Sequence, residues 1–94
     1  MATKLKTRSF DAAEHLDSEE AQREYLAAAV ESNDPAFIAD AIGVVARARG
    51  MTDIANRTGV SRQQLYRSLS ASGNPTLATL TKVLDAMGLK LSVV

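Results

Sequence analysis

The chain has 94 residues, enough for one domain with short extensions, and its 46% hydrophobic content allows a core. It has no cysteine, which excludes disulfides, thiolate metal sites and a cysteine nucleophile. Because no apolar run is long enough to span a bilayer and no secretory signal is recognisable, we expect a cytoplasmic protein without membrane contact.

The charges are distributed unevenly, although the formal net charge is zero. Residues 1–8 carry a charge of +3, residues 9–40 carry −8 and residues 41–94 carry +5. An acidic segment joined to a basic one indicates two surfaces for two kinds of partner. The alternative is that both are ordinary solvated faces.

Two helices are predicted in the first half of the chain. Residues 1–15 show neither helical nor alternating apolar spacing, so we expect them to be extended or loosely ordered. Either Asp17 or Ser18 can cap the first helix, which ends shortly before Pro35. Asp34 then caps a second helix whose first residue is Pro35, where a missing amide hydrogen costs nothing.

The second helix is expected over residues 35–49. Its apolar residues recur every three or four positions and predict one buried face: Phe37, Ile38, Ala41, Ile42, Val45 and Ala48. Gly50 ends this helix in a left-handed C-cap. We divide the chain at this helix into an acidic extension with the first helix, residues 1–34, and a second domain, residues 35–94.

Three shorter helices are predicted in the remainder of the chain. Thr52 caps a third helix over residues 53–58, and Ser61 caps a fourth helix that ends near Ser70. A turn rich in glycine, serine and proline separates it from a fifth helix over residues 76–87.

The tail, residues 89–94, alternates apolar and polar residues, which is typical of a short strand. Such a strand needs a partner, either the N-terminal segment or a second copy of the chain, and we expect the tail to mediate dimerisation. The predicted architecture is all-α, with five helices, an extended N-terminal segment and a short C-terminal β-strand.

Residues 51–70 meet the requirements of a helix-turn-helix motif in one register. Ala55 is small where the second helix crosses close to it, and Gly59 supplies the positive φ of the turn. Three apolar residues bury the inner side of the two helices: Ile54, Val60 and Leu65. Each feature alone is weak evidence, but their agreement predicts that residues 61–70 form a DNA-recognition helix.

The predicted recognition helix turns polar side chains outward, where they could contact DNA. The alternative is that they are simply soluble surface residues. Arginine suits guanine edges and glutamine suits adenine edges, although either arginine could instead hold a phosphate. Ser61 caps the helix and leaves its free backbone amides near a phosphate of the DNA. Tyr66 is expected to be partly turned inward. The predicted DNA-binding residues are Thr52, Ser61, Arg62, Gln63, Gln64, Arg67 and Asn74.

The chain resembles two related groups of bacterial proteins. Residues 54–89, with Asn-Pro-Thr-Leu at 74–77 and Ala-Met-Gly-Leu at 86–89, resemble Xre-type, lambda-repressor-like domains. Nearly the whole chain resembles the addiction-module antidote family of toxin–antitoxin operons. The segments that carry this second resemblance are Phe-Asp at 10–11, Tyr-Leu-Ala-Ala-Ala at 25–29, Asn-Asp-Pro at 33–35, Ala-Arg-Ala-Arg-Gly-Met-Thr at 46–52, Gly-Val-Ser-Arg at 59–62, Leu-Tyr at 65–66, Leu-Ser at 69–70 and Gly-Asn-Pro at 73–75.

The second resemblance implies an antitoxin that neutralises a partner toxin, usually a small basic RelE-like ribonuclease, and represses its own operon as a dimer. The expected partners are therefore double-stranded operator DNA, the cognate toxin and a second copy of the chain. Ser68 departs from the Xre pattern, which has a large apolar residue there. Leu69 could fill that space with a slight rotation of the recognition helix.

Two other functions stay open: a stand-alone transcription regulator in which residues 1–40 serve as core and dimer scaffold, and an interaction module that has lost DNA binding. An enzyme is not expected. The carboxylates of Glu14, Asp17 and Glu20 could share one helix face, but they are better explained as an exposed face than as a catalytic acid–base pair. The sequence also has no glycine-rich loop of the kind that binds phosphate. His15 has no second histidine or cysteine beside it, so neither a metal nor a cofactor is expected.

Overall fold

The computed structural model describes residues 12–93, and every regular element within them is a helix. A short 3-10 helix, Ala12–His15, is followed by α1 Glu19–Ser32, α2 Pro35–Arg49, α3 Met51–Thr58, α4 Arg62–Ser68 and α5 Leu77–Ala86. The expected all-α fold with five α-helices is therefore confirmed for the described part of the chain. None of these helices has the length and apolar content that crossing a membrane requires.

Local capping residues set the starts of α1 and α2, as the sequence predicts. Of the two candidate caps of α1, Ser18 takes this role, since its hydroxyl accepts a hydrogen bond from the Ala21 amide at 3.1 Å. The Asp34 carboxylate accepts from the Ala36 amide at 3.1 Å, and Pro35 is the first residue of α2. Short-range chemistry thus fixes the boundary between the two helices.

The core is built around α2, which contacts the 3-10 helix, α1, α3 and α4. Its predicted apolar face is largely buried, except that Phe37 in the first turn is 38% exposed. The largest fully buried side chains of the core are Ile54, Leu65, Leu69, Val45 and Val83. Gly43 lies where α2 meets the end of α4, because a Cβ at this position would collide with the Leu69 carbonyl oxygen.

The start of α3 differs from the prediction, because Thr52 does not cap this helix. Gly50 has a φ of 110° and a ψ of 105°, which is not the expected left-handed cap, although its amide still closes α2 by donating to the Ala46 carbonyl at 3.0 Å. The Gly50 carbonyl in turn accepts from the Ile54 amide at 3.1 Å. The chain therefore passes directly from α2 into α3 at Met51, and Thr52 lies exposed inside α3.

Residues 12–15 correct the expectation of an extended or loosely ordered N-terminal segment. They form the 3-10 helix, which ends with a 3.3 Å hydrogen bond from the Leu16 amide to the Ala13 carbonyl. Leu16 is buried in the core, and this apolar contact holds the segment against α2. The other residues of the predicted segment, 1–11, lie outside the described part of the chain.

The predicted C-terminal strand is absent from residues 89–93, the described part of the tail. Gly88 adopts a left-handed conformation with a φ of 75°, and the Leu89 amide donates to the Leu84 carbonyl at 2.8 Å, which closes α5. A strand needs a neighbouring strand for its backbone hydrogen bonds, and the described residues of the chain provide none.

Candidate nucleic-acid interface

A tight turn of three residues joins α3 to α4 and holds the two helices in contact. Gly59 opens the turn with a φ of 77°, and its amide donates to the Ala55 carbonyl at 2.9 Å. The Thr58 hydroxyl accepts from the Val60 amide at 3.2 Å. These contacts produce the helix, turn and helix that the sequence predicts for residues 51–70.

Apolar side chains attach this pair of helices to the rest of the core. Ile54 of α3 and Leu65 of α4 are almost completely buried. Ala55 and Val60 are half-buried and pack against the same core. The opposite side of α4 is therefore left facing solvent.

A row of polar side chains occupies the exposed side of α4. The Ser61 hydroxyl caps the helix by accepting from the Gln64 amide at 3.1 Å, as expected. The four predicted DNA contacts within the helix are all exposed: Arg62, Gln63, Gln64 and Arg67. Because Leu65 is buried, the opposite side of α4 is exposed, and we call the exposed surface of this helix the α4 face.

The remaining two predicted contacts lie on other elements. Thr52 is exposed in the first turn of α3. Asn74 is exposed in the loop between α4 and α5, where it lines a cavity of about 600 Å³ together with Asn33 and Asp34. The structure thus groups the predicted residues of α4 and places Asn74 beside the turn between α1 and α2.

Tyr66 is partly turned inward, as the sequence predicts, and its exposed part belongs to the α4 face. Its side chain is 43% exposed. It lies one helical turn after Arg62, whose Cζ is 5.7 Å from the centre of the tyrosine ring, within the range of a cation–π contact. The sequence indicates this pairing, because residues four positions apart lie next to each other on the surface of a helix.

The end of α4 shows how the chain accommodates Ser68. The Ser68 hydroxyl donates to the Gln64 carbonyl of the preceding turn at 2.9 Å. Leu69 leaves the helix with a ψ of 62°, while its amide still donates to the Leu65 carbonyl at 2.9 Å. Leu69 is 2% exposed, so it fills the core in place of an apolar side chain at position 68, as expected.

The α4 face lies in a stretch of chain without acidic residues. No aspartate or glutamate occurs between Asp53 and Asp85. The basic residues of this stretch are Arg57, Arg62, Arg67 and Lys82. The Nε of Arg57 is 2.9 Å from the Oδ2 of Asp53, so the charge of this arginine is locally balanced. Arg62 and Arg67 supply the positive charge of α4 itself, which has no carboxylate to repel a phosphate.

A second charged surface is acidic and lies on α1. Its exposed residues, which we call the acidic surface, are Glu19, Glu20, Glu24 and Glu31. Gln22, on the buried side of α1, donates from Nε2 to the Leu16 carbonyl at 3.0 Å and accepts at Oε1 from the Nε of Arg49 at 2.8 Å. This network fixes α1 against the end of α2.

Within the described residues, no group of three or more His, Cys, Asp or Glu side chains is placed to hold a metal ion.

Comparison with known proteins gives a family match over most of the chain. The model of a family described as "Probable addiction module antidote protein" matches residues 6–94. A relative from Haemophilus influenzae, described as an uncharacterized protein, is 45% identical over 86 residues, which cover 92% of this chain and 89% of the relative. No solved structure matches the chain significantly.

Proposed function

The chain belongs to the family of probable addiction module antidote proteins, and on this basis we propose that it is the antitoxin of a type II toxin–antitoxin module. An antidote implies a toxin as partner. In this proposal the chain has two activities. As a dimer it binds operator DNA through the α4 face and represses its own operon, and through the acidic surface it neutralises a small basic RelE-like ribonuclease.

The α4 face is the observation that carries the DNA-binding half of the proposal. The guanidinium groups of Arg62 and Arg67 can pair with O6 and N7 of guanine or with phosphates, and the amides of Gln63 and Gln64 can pair with adenine. These groups stand on a helix that Leu65 packs against the core, so a regular element and not a loop positions them.

Arginine substitutions on α4 test this half of the proposal. In titrations with the duplex upstream of the gene, Arg62→Ala and Arg67→Ala should each weaken binding by about 5- to 150-fold, or roughly 1–3 kcal/mol if each arginine pairs with a base. Arg23→Ala is the matched control, because Arg23 is an exposed arginine on α1. If neither α4 variant loses more affinity than the control, the chain is better described as an interaction module without DNA binding.

The acidic surface supports the toxin-binding half of the proposal. It exposes four glutamates in a segment, residues 9–40, that carries a charge of −8. A basic ribonuclease has the complementary charge, and attraction between opposite patches accelerates association. The acidic surface and the α4 face lie on different helices, so the proposal allows one chain to hold toxin and DNA together.

Charge neutralisation on α1 tests the toxin-binding half. We expect Glu20→Gln combined with Glu24→Gln to slow association with the protein encoded beside this gene, and to make the association rate less dependent on salt. Gln63→Lys combined with Gln64→Lys is the matched control, since it changes the net charge by the same amount on α4. If the unmodified chain forms no complex with the neighbouring protein at physiological salt, a stand-alone transcription regulator is the better assignment.

A further inference from the structure

Arg62 and Tyr66 form a cation–π pair on the α4 face. The two residues are one helical turn apart, the Cζ of Arg62 lies 5.7 Å from the centre of the tyrosine ring, and both side chains are exposed. The attraction between the cation and the ring narrows the range of orientations that the guanidinium samples. The pair therefore places a cation and an aromatic ring side by side on the surface that the proposed function assigns to DNA.

The core covers only part of Tyr66. The buried side of α4 is already filled by Leu65 and Leu69, and the Tyr66 ring is left 43% exposed. An exposed ring beside an exposed arginine places an apolar surface next to a guanidinium group that can donate two parallel hydrogen bonds.

The major groove of DNA presents features that match such a pair. A guanidinium that bonds to O6 and N7 of a guanine lies close to the plane of that base. A ring that lies over the guanidinium is then displaced from the plane of the guanine toward the adjacent base pair. The apolar feature of the major groove at that level is the C5-methyl group of thymine, which cytosine lacks.

We propose that Tyr66 is a specificity-determining residue, which contacts the C5-methyl group of a thymine adjacent to the guanine that Arg62 binds. The inference rests on the proposed operator binding and deepens it, because it names the base step that α4 prefers. Tyr66 contributes the face of its ring, and its hydroxyl is not needed for the contact.

Removal of single methyl groups from the DNA tests the inference. The probe is a duplex that the unmodified protein selects from a randomised pool, in which each thymine in turn is replaced by deoxyuridine. At the contacted thymine, the unmodified protein should bind about 3- to 5-fold more weakly, since one methyl group is lost from an apolar contact. Tyr66→Ala should bind the two duplexes equally, whereas Tyr66→Phe should discriminate between them as the unmodified protein does.

Phe37→Ala serves as the matched control, because Phe37 is an exposed aromatic residue on α2 and its loss should leave the discrimination unchanged. Each variant is compared on the two duplexes, so a loss of folded protein lowers both signals and does not alter their ratio, and Tyr66→Phe tests whether the ring alone is sufficient.

The possible failures are distinguishable. If the unmodified protein selects no sequence and binds the pool no better than the Arg62→Ala and Arg67→Ala variants, the proposed operator binding is wrong. The inference about Tyr66 is then wrong as well. If a sequence is selected but no thymine-to-deoxyuridine exchange matters, or if Tyr66→Ala still discriminates, the role of Tyr66 alone is overturned.

Discussion

Gly43 sets how closely α2 approaches the end of α4. Alanine in place of glycine usually stabilises a helix interior by about 0.5–1 kcal/mol. Here a new Cβ would collide with the Leu69 carbonyl oxygen, a backbone atom that cannot move without shifting the end of α4. We therefore expect Gly43→Ala to lower the free energy of unfolding by about 1–3 kcal/mol, measured by urea denaturation.

The matched control for this substitution is Gln63→Ala, which places alanine at an exposed helical position. It should leave the free energy of unfolding unchanged or raise it by a few tenths of a kcal/mol. A rise in stability for Gly43→Ala would contradict the close packing of α2 against the end of α4.

Three helix caps were predictable one by one, because a cap bonds to an amide only two or three residues away, whereas the expected cap Thr52 was wrong. Ser18, Asp34 and Ser61 each accept such a bond, as their types and positions indicate. The role of Gly43 was not predictable, since the sequence does not show which backbone atom meets a given helix face. The partly inward position of Tyr66 was predictable, and this residue is 43% exposed.

At the scale of elements, Gln22 joins the 3-10 segment, α1 and α2. Its side chain is 6% exposed and bonds to both the Leu16 carbonyl and the Arg49 guanidinium. Gln22→Leu removes both bonds and leaves two polar groups without these partners. We expect the free energy of unfolding to fall by about 1–3 kcal/mol, and amide hydrogen exchange at Leu16 to become faster.

Gln64→Leu is the matched control, because it makes the same change on the exposed side of α4. Surface changes of this kind usually alter stability by less than about 0.5 kcal/mol. Equal losses for the two variants, or unchanged exchange at Leu16, would show that the Gln22 bonds do not hold the N-terminal segment in place.

The helices, the boundary at Asp34 and the turn at Gly59 could be predicted from apolar spacing, caps and glycine, whereas the two ends of the chain and the start of α3 could not. The 3-10 helix before Leu16 depends on burial of one leucine against α2, a contact between distant parts of the chain. The early start of α3 depends on the unusual backbone of Gly50. The alternation of the tail indicates a strand, but that pattern does not say whether a partner strand exists.

At the scale of the whole molecule, the sequence already separates the acidic and basic parts of the chain, and the fold assigns them to different helices. The exposure of Arg62, Gln63, Gln64 and Arg67 was predictable, because one short helix carries them and Leu65 on that helix is buried; their DNA-binding roles stay predictions. Thr52 and Asn74 lie on other elements, and their roles stay predictions. The division of the chain at residue 35 likewise stays a prediction.

The tail provides the prediction that concerns assembly. Leu91 and Val93 are 60% and 98% exposed, although their apolar side chains would gain by burial. In the proposed dimer, the tails of two copies cover each other, and two α4 helices lie about 34 Å apart, one turn of DNA. We expect Leu91→Ser combined with Val93→Ser to convert the dimer into a monomer in sedimentation experiments.

The same tail variant should bind a duplex with two half-sites more weakly but bind a single half-site unchanged. The reason is that a dimer gains affinity over a monomer only when both of its subunits contact DNA. Leu77→Ser is the matched control, since Leu77 is 66% exposed on α5 and its change should leave the dimer intact. A dimer that survives loss of both tail residues would place the interface elsewhere. In that case the spacing of the two α4 helices would have to be set by another surface of the chain.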